Sequence, residues 1–131
     1  MRTTASRALV PLLGLFGVTQ LAVGLLLALA PGTFFEEIGP FGARNDHYMR
    51  DLATFYVALG VAGLVAIRRP AWRVPVLALA TLEYVLHAIN HLVDVGETNP
   101  EWNGPVTLAA VTASAALYGW MLWATARQER R

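Results

Sequence analysis

The run TLEYVLHAINHLVD, residues 81–94, is apolar enough for the inside of a membrane, yet it carries Glu83, His87, Asn90, His91 and Asp94. On an α-helix these five fall at about 0°, 40°, −20°, 80° and 20° around the axis, a stripe roughly 100° wide. Tyr84, Val85, Leu86, Ile89, Leu92 and Val93 cover the rest of the circumference. Ionisable side chains at membrane depth are costly and normally face a protein interior or a water-filled cavity. The stripe therefore marks a place inside the protein, and it fixes no reaction by itself.

The rest of the chain is of the same kind. Of 131 residues, 56% are hydrophobic and only 15% charged, well outside the range of soluble domains. The length is that of one domain. Four apolar runs of about 17–23 residues account for most of it, and about 20 residues span a bilayer core. Cysteine is absent, which excludes disulfides, thiolate metal sites and dithiol redox chemistry. Lysine is absent too, which excludes Schiff-base catalysis and a lysine-based phosphate loop. The arginines flank apolar segments and form no basic face, so nucleic acid is not an expected partner. The expected fold is an all-α, integral membrane four-helix bundle, up-down-up-down, with helices at about 8–30, 47–67, 74–95 and 105–126.

Met1 to Arg7 is a short basic leader, and Ala8 to Ala30 is almost unbroken apolar sequence. A secretory signal is the rival reading, because Ala28-Leu29-Ala30 has the small-x-small form of a cleavage site. The run is longer than such apolar regions, and Pro31 would follow the cut, so it reads as an uncleaved membrane helix. Gly17, Gln20 and Gly24 share a face on which a neighbouring helix can come close and meet the lone amide. Pro31-Gly32 ends this helix. Beyond it Phe34, Phe35, Ile38 and Phe41 are interspersed with Glu36 and Glu37, which suits a segment lying along the membrane surface. A loop tucked over the mouth of the bundle fits the same residues.

Asn45 or Asp46 can cap the second helix. His47, Arg50, Asp51 and Thr54 form one face of it, continued by Ala58 and Ala62, with Tyr56 on the opposite side. Arg68, Arg69, Pro70, Trp72 and Arg73 make a tight basic turn, and Pro75 falls in the first turn of the third helix. Gly96 to Gly104 is a polar, turn-rich loop. The fourth helix carries Thr107, Ala110, Ser114 and Tyr118 on one face and runs into a charged tail.

Charge gives the orientation. With four spans, Arg2, Arg7, Arg68, Arg69, Arg73, Arg127, Arg130 and Arg131 fall on one side, and only Arg44 and Arg50 on the other. By the positive-inside rule both termini are cytoplasmic. Glu36, Glu37, Asp46, Asp51, Asp94, Glu97 and Glu101 collect on the arginine-poor side. At 1.5 Å per residue, His91 lies about 6 Å, His87 about 12 Å and Glu83 about 18 Å below the outer end of the third helix. Gln20 and Ser114 come at a depth close to that of Glu83. The expectation is a polar funnel, open to the extracytoplasmic side and closed at mid-membrane, where the second and third helices meet.

His87 and His91 are spaced i, i+4, so two imidazoles on one face can share a metal. Asp51, His47, Asp94 or Glu83 could complete a set, and His87, His91 and Asp51 are the expected ligands. A bis-histidine haem needs histidines on different helices, and only His47 could face the other two. A hydrogen-bonded network of Arg50 with Asp94 or Asp51, and of the histidines with carboxylates and Asn90, needs neither. Such a clamp requires one or two pairs, and the site gathers more. Glu83 is either a proton donor or ligand-anchoring acid, or an acid bonded to Gln20 or Ser114.

Met49-Arg50-Asp51-Leu52, Tyr56-Val57-Ala58-Leu59-Gly60, the Arg68-Arg69-Pro70 turn and the polar third helix give the whole chain a layout that resembles the small DoxX-like four-helix membrane proteins. The resemblance implies a membrane protein, with quinone or sulfur oxidation linked to some members, and brings no catalytic set. The functional expectation is a protein of the bacterial-type inner membrane that binds or acts on a small amphipathic molecule, a quinone or lipid-like species. Glu83, His87, His91 and Asp51 are the candidate catalytic groups, and His47, Arg50, Thr54, Asn90, Asp94 and Gln20 the candidate ligand contacts. The residues favour a binding site without a tightly held metal. An accessory subunit that assembles with a membrane partner or with its own copies is the alternative. A proton or ion conductor suits a closed four-helix monomer poorly.

Overall fold

The computed structural model describes residues 4–130, with side chains from residue 8. Arg2, Arg131 and the side chain of Arg7, which enter the charge asymmetry, lie outside the described residues. The elements are α1 (Thr4–Leu29), α2 (Pro31–Glu37), α3 (Asp46–Arg68), a single 3-10 turn (Pro70–Trp72), α4 (Arg73–Val93) and α5 (Asn103–Glu129). Four of the helices, all but α2, are long and apolar enough to cross a membrane.

Local chemistry sets the boundaries. Pro31 occupies the first position of α2, where its missing N–H costs nothing. The Asn45 carboxamide accepts from the backbone N–H groups of His47 (3.1 Å) and Tyr48 (3.2 Å), capping α3. At the other end, the Arg73 guanidinium donates to the carbonyls of Ala66 and Ile67, both at 3.1 Å, and so covers the open C-terminus of α3 while starting α4. The Asp94–Asn103 connection closes on itself: the Thr98 hydroxyl accepts from the Gly104 N–H at 3.0 Å, and Phe41 pairs with Thr98 in an isolated bridge. That bridge ties the connection after α2 to the connection after α4.

The helices associate as two pairs. α1 packs chiefly on α3 and α4 chiefly on α5, and the contact between α3 and α4 is thinner. The α1–α3 seam is built on glycine. A Cβ at Gly60 would stand 2.8 Å from the Leu21 nitrogen and 2.9 Å from the Gly17 carbonyl oxygen. One at Gly24 would stand 2.9 Å from the Val57 nitrogen and 3.1 Å from the Ala53 carbonyl oxygen. Residue 17 meets 60 and 64 while residue 24 meets 53 and 57, so the two helices run antiparallel. The face of α1 read as a close-approach surface is used as such, with α3 as the partner. Leu9, Leu13, Phe16 and Leu27 of α1 are all buried, so this helix belongs to the packed unit.

The larger core cluster runs through both pairs: Leu9, Leu13 and Phe16 of α1, Leu59 and Ala66 of α3, Val76, Leu77, Ala80 and Tyr84 of α4, and Tyr118 and Met121 of α5; a smaller one joins Leu27 of α1 to Ala53 and Tyr56 of α3. The outer faces are apolar and bare. Leu79, Leu82, Val85, Leu86, Ile89, Leu92 and Val93 of α4 are exposed, as are Leu15, Val18 and Leu25 of α1, which is the surface a helix offers to lipid. Trp72, Trp102, Trp120 and Trp123 are exposed near helix ends, with the Arg127 guanidinium 4.2 Å over the Trp123 ring.

Backbone atoms cannot move aside as a side chain can. Gly60→Ala should therefore cost the 1–3 kcal/mol typical of overpacking, read as a lowered unfolding midpoint in detergent. Gly96→Ala, at a position with open space around it, should leave the midpoint unchanged. Equal stability of the two variants would overturn the glycine seam.

Candidate functional site

Between the two helix pairs lies a cavity of about 340 Å³. Val23 of α1, Leu52 and Tyr56 of α3, Tyr84, His87, Asn90 and His91 of α4, Asp94, and Thr107, Ala110 and Val111 of α5 contribute to its wall. Phe34, Ile38, Gly39 and Phe41 contribute the rest, so the connection after α1 roofs the cavity. This fits the segment tucked over the mouth of the bundle, with Glu36 and Glu37 exposed on its other side. The lining is mostly apolar and aromatic, and its polar groups gather on α4 and the first turns of α5.

The polar column on α4 is continuous. His87 Nδ1 lies 3.3 Å from Glu83 Oε1, although the contact is too bent for a hydrogen bond and leaves Nδ1 without a partner. On the other side of the same ring, His87 Nε2 lies 3.0 Å from His91 Nε2. The His91 ring is held edge-on by Phe41, centroid to centroid 4.7 Å. Glu83, His87 and His91 are each half-buried. Of the five stripe residues, His87, Asn90, His91 and Asp94 contribute to the cavity wall, Asn90 while itself exposed, and Glu83 does not line it.

Below it sits a knot of aromatic hydroxyls. Gln20, fully buried, donates to the Tyr84 hydroxyl at 2.8 Å and to the Tyr118 hydroxyl at 3.5 Å. The Tyr84 and Tyr118 rings meet edge to face at 4.8 Å. Gln20 therefore bridges α1 to the α4–α5 pair. It does not bond Glu83, as one reading of that acid had it, because the tyrosine beside Glu83 takes its amide. Nor does Ser114, which donates to the Ala110 carbonyl at 2.9 Å.

Four candidates do not join the site. His47, Arg50, Asp51 and Thr54 are exposed on the outer side of α3. His47 Nε2 and Asp51 Oδ2 face one another at 3.5 Å along that surface, and the Thr54 hydroxyl donates to the Asp51 carbonyl at 2.7 Å. Among the described residues Arg50 and Asp94 form no ion pair. The expected convergence of Asp51 with His87 and His91 is corrected, and His47 does not stand at the rim or face the other histidines as a haem would require. The reason is the rotation of α3. Ala53, Tyr56, Gly60 and Gly63 must point at α1 and the core, which turns the 47–50–51–54 face outward. These residues occupy the opening turns of the helix, where the cost of exposing polar groups falls toward the membrane surface.

Tyr56 is the residue that sequence reasoning put on the wrong side. It is 5% exposed and stands on the cavity wall with Tyr84 and His87. The spacing of Ala53, Tyr56, Gly60 and Gly63, close to one small or packing residue per turn, was the available signal. Among the described residues no three His, Cys, Asp or Glu side chains gather closely enough to hold a metal ion. Compared with family models, with curated proteins and with solved structures, the chain gives no match.

The rotation of α3 is directly testable. A cysteine replacing Asp51 should react rapidly with a water-soluble maleimide in detergent-purified protein, and one replacing Ala53, which is 2% exposed, should not. Protection at 51 with reaction at 53 would restore the inward-facing polar face.

Proposed function

We propose that the chain is a small multi-pass membrane protein whose cavity binds an amphipathic molecule with a ring or chain of quinone or lipid-like character. The observation that carries this reading is the composition of the cavity wall. Aromatic and aliphatic side chains from every long helix surround a space of about 340 Å³, within the size range of small-molecule sites. A few polar groups converge on one side: His87, Asn90, His91, Asp94 and Thr107. The apolar lining would take the body of such a ligand, and the histidines and Asn90 would meet a carbonyl or hydroxyl head. Glu83, behind His87, is placed to exchange a proton with it. The layout resemblance to DoxX-like proteins points the same way without naming a ligand.

In this reading the helices run up-down-up-down across a bacterial-type inner membrane with both ends in the cytoplasm, and the cavity opens to the extracytoplasmic side. The charge asymmetry supports it. In intact cells a cysteine at 99 should be labelled by an impermeant maleimide, and a cysteine at 71 only after permeabilisation. The reverse pattern would overturn the orientation and leave the cavity untouched.

Binding is tested with a short-tailed azidobenzoquinone. Photolabelling of the purified protein should saturate, map to peptides carrying Tyr56 or His87 and His91, and be competed by unlabelled benzoquinone of the same tail. Ala110→Phe, which pushes a ring into the cavity from α5, should cut labelling several-fold. Labelling that never saturates, or that Ala110→Phe leaves unchanged, would remove the quinone reading.

A further inference from the structure

We infer that His87 and His91 form a two-nitrogen chelate for an exchangeable divalent transition metal, Cu(II) above all, in the wall of the cavity. The inference is independent of whether a quinone binds. It begins with the one place in the site where two ring nitrogens meet, an Nε2–H···Nε2 hydrogen bond whose shared hydrogen a metal ion would displace. The Nε2 atoms are 3.0 Å apart while the ring centroids are only 4.7 Å apart. Two imidazoles aimed head-on at that nitrogen separation would hold their centroids farther apart, so the rings are tilted off the N···N line, an arrangement that also suits a shared ion.

The bite selects among metals. With metal–nitrogen bonds of about 2.0–2.1 Å, two nitrogens at this separation subtend roughly 90–100° at the ion. That lies nearer the right angle of a tetragonal Cu(II) site than the tetrahedral angle zinc prefers, and nitrogen ligands bind Cu(II) most tightly among the divalent first-row ions. Once Nε2 holds a metal, Nδ1 carries the ring hydrogen, and on His87 that nitrogen faces the Glu83 carboxylate at 3.3 Å. That contact is too bent for a hydrogen bond as it stands, so the carboxylate would orient the ring and strengthen it as a donor once the ring turns toward it on binding. Phe41, edge-on to His91, restrains the second ring.

Because no third His, Cys, Asp or Glu among the described residues completes the set, the remaining positions of the ion would face the cavity. Water or a small oxygen ligand would fill them. The chelate is thus of the open kind, weak enough to exchange and available to bind an oxygen-bearing ligand directly.

The probe is Cu(II) alone, titrated into detergent-purified protein in a non-coordinating buffer and followed by electron paramagnetic resonance. The expected result is a tetragonal signal saturating at one equivalent, with superhyperfine structure from two imidazole nitrogens. His87→Ala and His91→Ala should each abolish that two-nitrogen pattern. Glu83→Ala should keep the pattern and weaken affinity on the order of 10-fold or more. His47→Ala should change nothing, which separates this pair from the exposed His47–Asp51 pair. If a variant fails to fold, diethyl pyrocarbonate modification of the unaltered protein gives the same discrimination: Cu(II) should protect His87 and His91 together and leave His47 reactive. Absence of saturable Cu(II), or a signal lost only with His47→Ala, would overturn the site.

Discussion

Backbone meets backbone where α1 crosses α3, and most of the arrangement follows from that contact. Lipid tails are as apolar as leucine, so burying apolar surface gives membrane helices little reason to associate; close packing and polar contacts must do it instead. Gly17, Gly24 and Gly60 bring main-chain atoms of the two helices within reach of one another. That fit goes with one observed rotation of α3. It puts Ala53, Tyr56 and Gly63 inward, and it leaves His47, Arg50, Asp51 and Thr54 outside. The cavity acquires a tyrosine on that wall and loses a carboxylate.

The second consequence is the cavity itself. Strong pairing of α1 with α3 and of α4 with α5 leaves a thinner seam between the pairs. At the level of Gln20 the seam is closed by the amide reaching both Tyr84 and Tyr118. Each such bond in a membrane protein is worth only about 0.6 kcal/mol on average, so the knot serves position more than stability: it fixes the floor. Nearer the other end the pairs stand apart, and Phe34, Ile38 and Phe41 cover the space, anchored through the Phe41–Thr98 bridge. Floor, walls and roof come from different parts of the chain, and each has its own local cause.

What could be read from the sequence divides along the same line. The helical class and the four long apolar helices follow from residue type and run length alone. The stripe on α4 is legible as five polar residues within about 100° of arc, of which His87, Asn90, His91 and Asp94 contribute to the cavity wall. The α1 face of Gly17 and Gly24 was legible as a surface of close approach, though not its partner. The α3 face was misread because polarity and small-residue spacing made opposite claims on the same helix. The cost of exposing polar groups depends on depth and is small in the first turns of the helix. The steric demand at Gly60 lies deeper and is not relieved by position. The roof is ambiguous for a related reason: phenylalanines interspersed with glutamates fit a membrane surface as well as a cavity mouth, and the bridge to Thr98, distant in sequence, is legible in neither pattern.

Isolation of the α4 column is what gives it chemical interest. Had Asp51 and Arg50 turned inward, Glu83, His87 and His91 would have been absorbed into ion pairs across helices, and the site would have been a clamp. With α3 turned away, the column keeps to its own helix: His87 hydrogen-bonds His91, while its Nδ1 stands 3.3 Å from Glu83 without a hydrogen bond. Contacts between residues one turn apart do little to hold helices together, so they explain poorly why a membrane helix would carry three ionisable groups at such depth. Two histidines on the wall of an aromatic-lined cavity, with Glu83 behind them and buried ring nitrogens left unpartnered, are what the proposed ligand would meet on entering it.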